Sequence, residues 1–317
     1  MKKNAVENER DELNLASLAQ EYADEDKARE LLESLRWPTG IKCPHCQHDE
    51  IYTLTPKPDS KRPARKGLYC CAACRKQFSV TVGTVFERSH IPINKWLMAS
   101  FIICSSKKAV SAHQLHRMLK VTYKTAWFMA HRIRFVMGTN IADSKKLSGT
   151  VEVDETYVGG RGDRRLRYSR QTPVVALIER GGEVRTKVVP SVTQKNLRQC
   201  LNEGISKDAT VNTDQHIVYE LELKKWKRHE VVNHSKFEYT RRNPDGTVAG
   251  VNHCESFFSL LKRGIFGAWH CVSREHLPKY VNEFAFRWNT RKDTDGERLE
   301  KFAGRITGRR LTYRQAV

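Results

Sequence analysis

Two periods of apolar residues follow one another along this chain, and each predicts a different kind of element. Between residues 93 and 137 apolar side chains recur every three to four positions, which is typical of amphipathic helices. Beyond residue 148, short alternating or continuously apolar runs predict strands, with helical stretches between them. The predicted strands lie at 150–160, 173–178, 184–189, 209–214 and 229–232, with helices at 194–201 and from 252 onward.

The segment at residues 90–138 has the helix boundaries of a helix-turn-helix. Ser111 and Thr122 are placed to cap two successive helices, one up to residue 119 and one from residue 123. The second helix of this motif enters the major groove of DNA, so Lys124 is a candidate base contact and Arg132 a candidate phosphate contact. Further candidates are Tyr123, Trp127, His131 and Arg134. The alternative is a helical linker that packs on its neighbours.

Cysteines dominate the segment at residues 41–82. Cys43 and Cys46 form one Cys-x-x-Cys pair, Cys71 and Cys74 form another, and 24 residues separate the two pairs. Two residues between thiolates let one tight turn present both sulfurs to a tetrahedral ion, and the second pair completes the shell. A site of four thiolates has no open position, so we expect one structural zinc ion. Cys70 adjoins the second pair and could compete for the ion.

The charge of the chain indicates its partner. There are 56 Lys and Arg against 36 Asp and Glu, a formal net charge of +20, which predicts attraction to nucleic acid or to an anionic membrane. No stretch approaches eighteen consecutive apolar residues, and residues 1–11 are too charged for a signal peptide. We therefore expect double-stranded DNA as the partner, no membrane, and a cytoplasmic, nucleoid-associated protein. Nine cysteines then indicate thiols and metal ligation instead of disulfides.

Three acids follow the order of predicted strands and helices. Asp154 lies on the polar side of the strand at 150–160, Asp214 ends the strand at 209–214, and Glu255 lies in the last helix. An acid at the carboxyl end of a strand is where α/β sheets place chemistry. The order of predicted elements is that of a ribonuclease-H-like fold. It has three strands, a helix, a strand that ends in an acid, another strand, and a helix that carries the third acid. The predicted fold class is therefore α/β, with a mixed sheet.

Three carboxylates suit in-line cleavage of a phosphodiester by two divalent ions, one for the attacking and one for the leaving oxygen. Oxygen ligands favour magnesium or manganese. In this interpretation Asp154 bridges both ions, and Asp214 and Glu255 each complete one shell. Glu152 and Glu155 are near enough to compete with Asp154, but strand alternation points Glu155 to the other face.

The segment from Asn252 to Arg263 has both a packing stripe and a charged stripe. At about 100° per residue, Cys254, Phe257, Leu261 and Ile265 share one stripe, and Glu255, Ser259 and Lys262 share its neighbour. Glu255 and Lys262 are seven residues apart, about 10 Å along the axis. Lys262 and Arg263 are therefore candidate DNA contacts beside a metal-binding acid. The alternative is a surface salt bridge on an amphipathic helix.

Four motifs together resemble bacterial insertion-sequence DDE transposases of the IS1595 type. They are the cysteine module with its continuation Arg-Lys-Gln-Phe-Ser-Val, the run Val-Asp-Glu-Thr-Tyr-Val-Gly-Gly, the segment around Asn252-His253-Cys254-Glu255, and residues 276–289. The resemblance covers roughly residues 20–295. It implies that Asp154, Asp214 and Glu255 correspond to the family's acidic triad and Lys262 to its trailing lysine. Cys70 departs from the pattern and leaves the fourth zinc ligand open.

The resemblance implies a transposase that binds terminal inverted repeats, nicks them with water and joins the freed 3′-hydroxyl to target DNA. Two ends must be processed together, so we expect a homodimer or larger assembly on DNA. A transcription regulator without catalysis, or a nuclease on the same fold, are the alternatives. The predicted domains are an acidic helical segment at 1–40, a zinc ribbon at 41–82, a helical DNA-binding segment at 90–138, a catalytic domain at 148–295 and a basic tail at 296–317.

Overall fold

A computed structural model describes residues 13–55, 65–139, 141–142, 144–159, 171–215, 219, 222–224, 226–236, 238–312 and 315. The chain divides into two compact units, one formed by residues 1–137 with 293–317 and the other by residues 138–292. Residues 1–12 of the predicted N-terminal segment lie outside the described residues. No helix in the described ranges is long and apolar enough to cross a membrane.

The first unit joins a small three-stranded sheet to a set of helices. Its sheet is antiparallel in the order β1-β2-β3. The elements are α1 (Leu15–Glu21), α2 (Glu25–Arg36), β1 (Ile51–Leu54), β2 (Leu68–Cys71), β3 (Gln77–Phe78), α3 (Ile93–Ser105), α4 (Ala112–Leu119), α5 (Tyr123–Met137) and, from the C-terminal segment, α9 (Asp295–Ala303).

Local capping sets the ends of these helices as the sequence predicts. The Ser111 hydroxyl accepts from the amide of Gln114 at the start of α4, and the Thr122 hydroxyl accepts from Thr125 at the start of α5. Lys120 ends α4 in the left-handed region, with φ of 48°. The predicted turn between two helices is thereby confirmed.

The C-terminal segment is more than a basic tail. Thr294 and Glu297 form a capping box that starts α9. Leu299, Phe302 and Ala303 of this helix are buried, and α9 packs against α3. Residues 295–303 therefore belong to the core of the first unit.

The second unit is built on a five-stranded sheet in the order β6-β5-β4-β7-β8. The first three strands are antiparallel to one another, and β4, β7 and β8 are parallel. Its elements are β4 (Thr150–Gly159), β5 (Gln171–Glu179), β6 (Val184–Val188), α6 (Gln194–Gly204), β7 (Thr210–Asp214), β8 (Arg228–Val232), β9 (Thr240–Arg242), β10 (Val248–Gly250), α7 (Asn252–Gly264) and α8 (Leu277–Asn289). This mixed sheet with its helices is the predicted ribonuclease-H-like α/β fold.

Helices cover both faces of the sheet. On one face Val153, Val175 and Leu177 pack with Leu197 and Leu201 of α6. On the opposite face the alternate residues of β5, Val174 and Ala176, pack with α7 and α8. The helices contribute Phe257, Leu261 and Val281. Because a strand's successive side chains point to opposite faces, each face has its own apolar layer.

Two features of this unit were not in the predicted set. The segment after Gly264 continues α7 as one π-helical turn over Ile265–Trp269, since Ile265 extends the buried stripe of the helix. The strands β9 and β10 form a hairpin around Pro244-Asp245-Gly246, and Gly246 supplies the positive φ of 81° that the turn requires.

Candidate active site and metal centre

Strand pairing places two of the predicted acids side by side. In the parallel pair of β4 and β7, Val151 is the partner of Val211 and Glu152 the partner of Asn212. Extending this register by two residues brings Asp154 level with Asp214 at the carboxyl end of β7. Neighbouring strands are about 4.8 Å apart, so the two carboxylates occupy adjacent positions on the sheet.

Strand alternation separates Asp154 from its neighbour Glu155. Glu152 and Asp154 point to the face that α7 covers, since the Glu152 carboxylate contacts His253 of that helix. Glu155 points to the opposite face, where it accepts a hydrogen bond of 2.6 Å from the hydroxyl of buried Tyr219. Glu155 is therefore held by a tyrosine on the far side of the sheet.

The third acid reaches this edge on the first turn of α7. The stripe of Cys254, Phe257, Leu261 and Ile265 is buried against the sheet, as the helical period predicts. That packing leaves Glu255 exposed, with its amide donating to the carbonyl of Val251 at 3.1 Å. The helix thus turns its polar stripe toward solvent at the edge where Asp154 lies.

Asp154 lies in a buried and negatively charged environment. Burial, followed by the negative charges of Asp214, Glu155 and Glu255, raises the pKa of Asp154 from 3.8 to about 8. The charged form of Asp154 is thus strongly disfavoured unless a cation lies nearby. A divalent cation would supply that charge, and carboxylate oxygens are ligands that magnesium and manganese prefer. The residues present fit a metal of this class.

The carboxylates are not arranged around a single point. Among the described residues, only the four cysteines of the ribbon place possible ligand atoms all within 4.8 Å of one another. Asp154, Asp214 and Glu255 do not form such a group among the described residues.

Glu152 is a polar residue of this face whose role the sequence did not reveal. It is fully buried, and its carboxylate contacts Arg180 and His253, each at 2.8 Å. In the sequence Glu152 stood only as a rival to Asp154. Its position two residues before Asp154, on the same face, is the signal that could have placed it beneath the site.

Lys262 and Arg263 lie on the exposed side of α7. The Arg263 guanidinium donates to the hydroxyl of Ser259 at 2.9 Å. No ion pair joins Lys262 to Glu255 in the part of the chain that the structure describes, because two helical turns separate them by about 10 Å. The surface salt bridge that was the alternative reading of this spacing is therefore not formed.

The four ribbon cysteines converge as a metal site. The Sγ atoms of Cys43 and Cys74 are 3.6 Å apart, and those of Cys46 and Cys71 are 3.5 Å apart. Four thiolates at about 2.3 Å from a tetrahedral zinc ion lie roughly 3.8 Å from one another, so this set fits zinc. A hydrogen bond from the backbone of Cys74 is the first cause that lowers the pKa of Cys71, while burial and the neighbouring thiols raise the pKa of Cys46, so of these two thiols Cys71 is the one that favours the thiolate.

The turns of the two cysteine pairs have the same backbone geometry. Gln47, after Cys46, and Arg75, after Cys74, both take positive φ, at 64° and 57°. Each donates its amide to the carbonyl of the first cysteine of its pair, at 2.9 and 3.0 Å. Two equivalent turns thus present two sulfurs each.

Cys70 lies on the same strand as Cys71 and outside the cluster. Its Sγ lies 3.7 Å from the carbonyl oxygen of Arg75, whereas Cys71 points into the four-sulfur set. Successive side chains of a strand point to opposite faces, so only one of two adjacent cysteines can reach the ion. The fourth cysteine of the cluster is therefore Cys71.

In the helix-turn-helix segment, the predicted contacts divide into exposed and buried residues. Tyr123 and Lys124 are exposed at the start of α5, and the Tyr123 ring stacks on His113 at 4.3 Å. Arg132 is only 7 % exposed, because its Nε donates to the carbonyl of Leu311 and its guanidinium lies 4.4 Å from the centre of the Phe128 ring. The prediction that Arg132 contacts a phosphate is wrong in this arrangement.

Two other predicted polar contacts, and one arginine of α8, are also internal. His131 is fully buried and stacks on Trp127 at 3.9 Å, and Arg134 is 2 % exposed with a donor on the carbonyl of Val110. Arg287 of α8 donates to fully buried Glu283. Each of these side chains is enclosed in the protein instead of exposed to solvent.

Comparisons with known proteins bear on both units. Residues 146–289 match a family model described as ISXO2-like transposase domain, and residues 23–77 match one described as transposase zinc-ribbon domain. A Halobacterium salinarum protein described as an uncharacterized protein in transposable element ISH50 is 30% identical over 285 residues, which cover 84% of this chain and 91% of the relative.

A solved structure was also matched at low similarity. It is a simian T-cell lymphotropic virus intasome in complex with a PP2A regulatory subunit, at 10% identity, with 59% of this chain and 65% of the other covered. The TM-score of 0.28 is too low to show a common fold.

Proposed function

Because the chain belongs to the IS1595 family of transposases, we propose that it binds the terminal inverted repeats of an insertion sequence and catalyses strand cleavage and strand transfer there. The family itself accounts for DNA transposition and for an enzyme of the DDE class. The proposal concerns the substrate, the reacting residues and the metal. The observation that carries it is the strand register that sets Asp154 beside Asp214, where burial and the charges of Asp214, Glu155 and Glu255 raise the pKa of Asp154 to about 8.

In the proposed reaction one set of residues serves two phosphoryl transfers. In cleavage, the oxygen of water forms a bond to phosphorus, the bond from phosphorus to the 3′ oxygen breaks, and that oxygen takes up a proton. In joining, the freed 3′-hydroxyl attacks a phosphodiester of target DNA and displaces its 3′ oxygen in the same way. Both steps require the same arrangement around phosphorus.

The three acids would hold the metal that this chemistry requires. Asp154 would bridge two divalent cations, magnesium or manganese, while Asp214 and Glu255 would each bind one of them. When bound, the cations supply positive charge to the attacking and leaving oxygens. Asp154 is suited to the bridging place because the charges of both Asp214, on the next strand, and Glu255, on α7, act on it.

The DNA would be held by cations of both units. Lys262 and Arg263 are exposed on the same helix as Glu255, and Lys124 is exposed at the start of α5. The zinc ribbon would present its own basic residues, such as Arg75 and Lys76, which are exposed beside the second cysteine pair. Since two element ends react together, the active form would be a dimer or larger assembly on DNA, at the nucleoid in the cytoplasm.

The test uses a labelled duplex that carries the terminal DNA flanking the coding region, with magnesium. We expect a nicked strand with a new 3′-hydroxyl and then a strand-transfer product with a target plasmid. Asp154→Asn and Asp214→Asn should abolish both products and leave DNA binding intact. Asp208→Asn should form both products and bind DNA as wild type does. Asp208 is the matched control because it is exposed in the turn before β7.

The alternatives give different products in the same assay. A regulator would shift the duplex and leave it uncut. A nuclease would cut it and give no joined product. Cleavage that survives in Asp154→Asn would show that the acids assigned here are not the reacting set.

A further inference from the structure

A second polar layer lies directly beneath the pair of Asp154 and Asp214. Glu152 and Asn212 are partners in the register of β4 and β7, two residues before the two aspartates. Both are buried, at 0 % and 1 % exposure. Buried polar side chains are costly unless they are hydrogen-bonded, so their partners indicate what this layer does.

Glu152 caps α7 from outside that helix. Val251, the residue before the first turn, offers no side-chain cap. Instead, one oxygen of Glu152 accepts from the backbone amide of His253 at 2.8 Å, and the other lies 2.8 Å from the Nδ1 of the same histidine. A buried carboxylate thus satisfies a first-turn amide, which the helix cannot satisfy by itself.

Arg180 and Asn212 hold the strand that leads into α7. Arg180 donates Nε to Glu152 at 2.8 Å, and its Nη atoms donate to the carbonyls of Val248 and Gly250 in β10. The Asn212 amide lies 3.4 and 3.3 Å from the same two carbonyl oxygens. A residue in the turn after β5 and a residue on β7 therefore hold the residues immediately before the helix.

This grip bears on Glu255 because of its place in the helix. His253 and Glu255 share the first turn of α7, where helices otherwise fray. The apolar stripe fixes which face of α7 meets the sheet, but polar contacts at its start also fix the position of the turn along the axis. A shift of about 1 Å in a reacting group is enough to cost a large part of an enzyme's rate.

We propose that Glu152, together with Arg180 and Asn212, is a positioning residue that fixes the first turn of α7 and so places Glu255 against Asp154 and Asp214 for metal binding. This inference rests on the proposed function for the metal and on the observed contacts for the grip. Glu152 itself acts through His253 and binds no metal.

Hydrogen exchange tests whether Glu152 holds the first turn of α7. The sample is the full chain, loaded with zinc and free of magnesium and manganese. In Glu152→Gln we expect the amide of His253 to exchange about tenfold faster, because a hydrogen bond to a charged acceptor is lost. The matched control is Glu203→Gln. Glu203 lies on α6, which covers the opposite face of the sheet, and the change removes its ion pair of 2.8 Å with Lys187 of β6. Equal exchange at His253 in wild type and Glu152→Gln would overturn the inference.

Calorimetric titration with manganese tests the consequence for Glu255. We expect Glu152→Gln to bind Mn²⁺ about tenfold more weakly than wild type, in the range that residues supporting metal ligands usually contribute. Glu203→Gln should bind Mn²⁺ as wild type does. Unchanged Mn²⁺ affinity in Glu152→Gln would refute the positioning role while the proposed function stands. The proposed function would instead be refuted if wild type did not bind Mn²⁺, or if Asp154→Asn bound Mn²⁺ as wild type does.

A double variant separates positioning from mere stability. Glu152→Gln leaves the partly buried Arg180 without its carboxylate, which destabilises the fold. The pair Glu152→Gln and Arg180→Gln removes that unpaired charge, so we expect the unfolding temperature to recover while Mn²⁺ affinity stays low. Recovery of both together would show that Glu152 only stabilises the domain and would overturn the proposal.

Discussion

The raised pKa of Asp154 makes the stability of the metal-free protein depend on pH in an unusual direction. Its folded-state pKa of about 8 lies far above the ordinary 3.8, so between these values the folded chain holds a proton that the unfolded chain releases. Stability from this group is fully present below about pH 4 and is lost as pH rises through about 8. Most paired carboxylates have the opposite effect.

The size of the effect follows from the width of that window. One pH unit within it changes the free energy of unfolding by at most about 1.4 kcal/mol. Asp154 keeps some contact with solvent, so we expect wild type to lose about 2 kcal/mol between pH 5 and pH 7 from this group. For a domain of this size that loss corresponds to roughly 5 °C in unfolding temperature.

The assay is thermal unfolding of zinc-loaded, magnesium-free protein at several pH values, with Asp154→Asn measured in parallel. The difference between the two proteins isolates this group, because the histidines titrate in both. Asp154→Asn should be the more stable protein at pH 7.5, and this advantage should be smaller by about 2 kcal/mol at pH 5 than at pH 7. Magnesium should stabilise wild type more at pH 7.5 than at pH 5.5 and leave Asp154→Asn unaffected.

Two controls decide what a negative result means. Asp208→Asn, which changes an exposed aspartate, should follow the wild-type pH profile. If the difference between wild type and Asp154→Asn does not vary with pH, Asp154 is not in a crowded anionic site, and the argument for a metal there fails.

Three further predictions concern the zinc, the DNA and the buried arginine. Metal analysis should find about one zinc ion per chain in wild type and in Cys70→Ser, and none in Cys43→Ser. A wild type without zinc would contradict the ribbon site. Lys262→Ala should weaken DNA binding and lower the salt slope of that binding by about one, with Mn²⁺ affinity unchanged. The control Lys195→Ala, on α6 across the sheet, should have the DNA affinity, the salt slope and the Mn²⁺ affinity of wild type. Arg132→Ala should lower the free energy of unfolding in urea by about 2 kcal/mol and keep the salt slope of DNA binding, the reverse of what a phosphate contact would give.

Features that depend on neighbours in the sequence could be predicted from it. The Cys-x-x-Cys turns are local, so the spacing of Cys43, Cys46, Cys71 and Cys74 predicted their convergence. The period of α7 predicted its buried stripe, because helix geometry alone decides which residues share a face. The order of strands and helices predicted the mixed sheet of the second unit in the same way.

Features that depend on what packs against a side chain required the tertiary structure. Arg132 and Arg134 are candidate DNA contacts in the sequence, yet each donates to a backbone carbonyl inside the fold. Glu152 was one acid among several until α7 was seen to begin against it. Sequence period thus determined which residues share a face, whereas burial and charge pairing were decided by elements far apart in the chain, because the cost of burying a charge depends on the partner that arrives beside it.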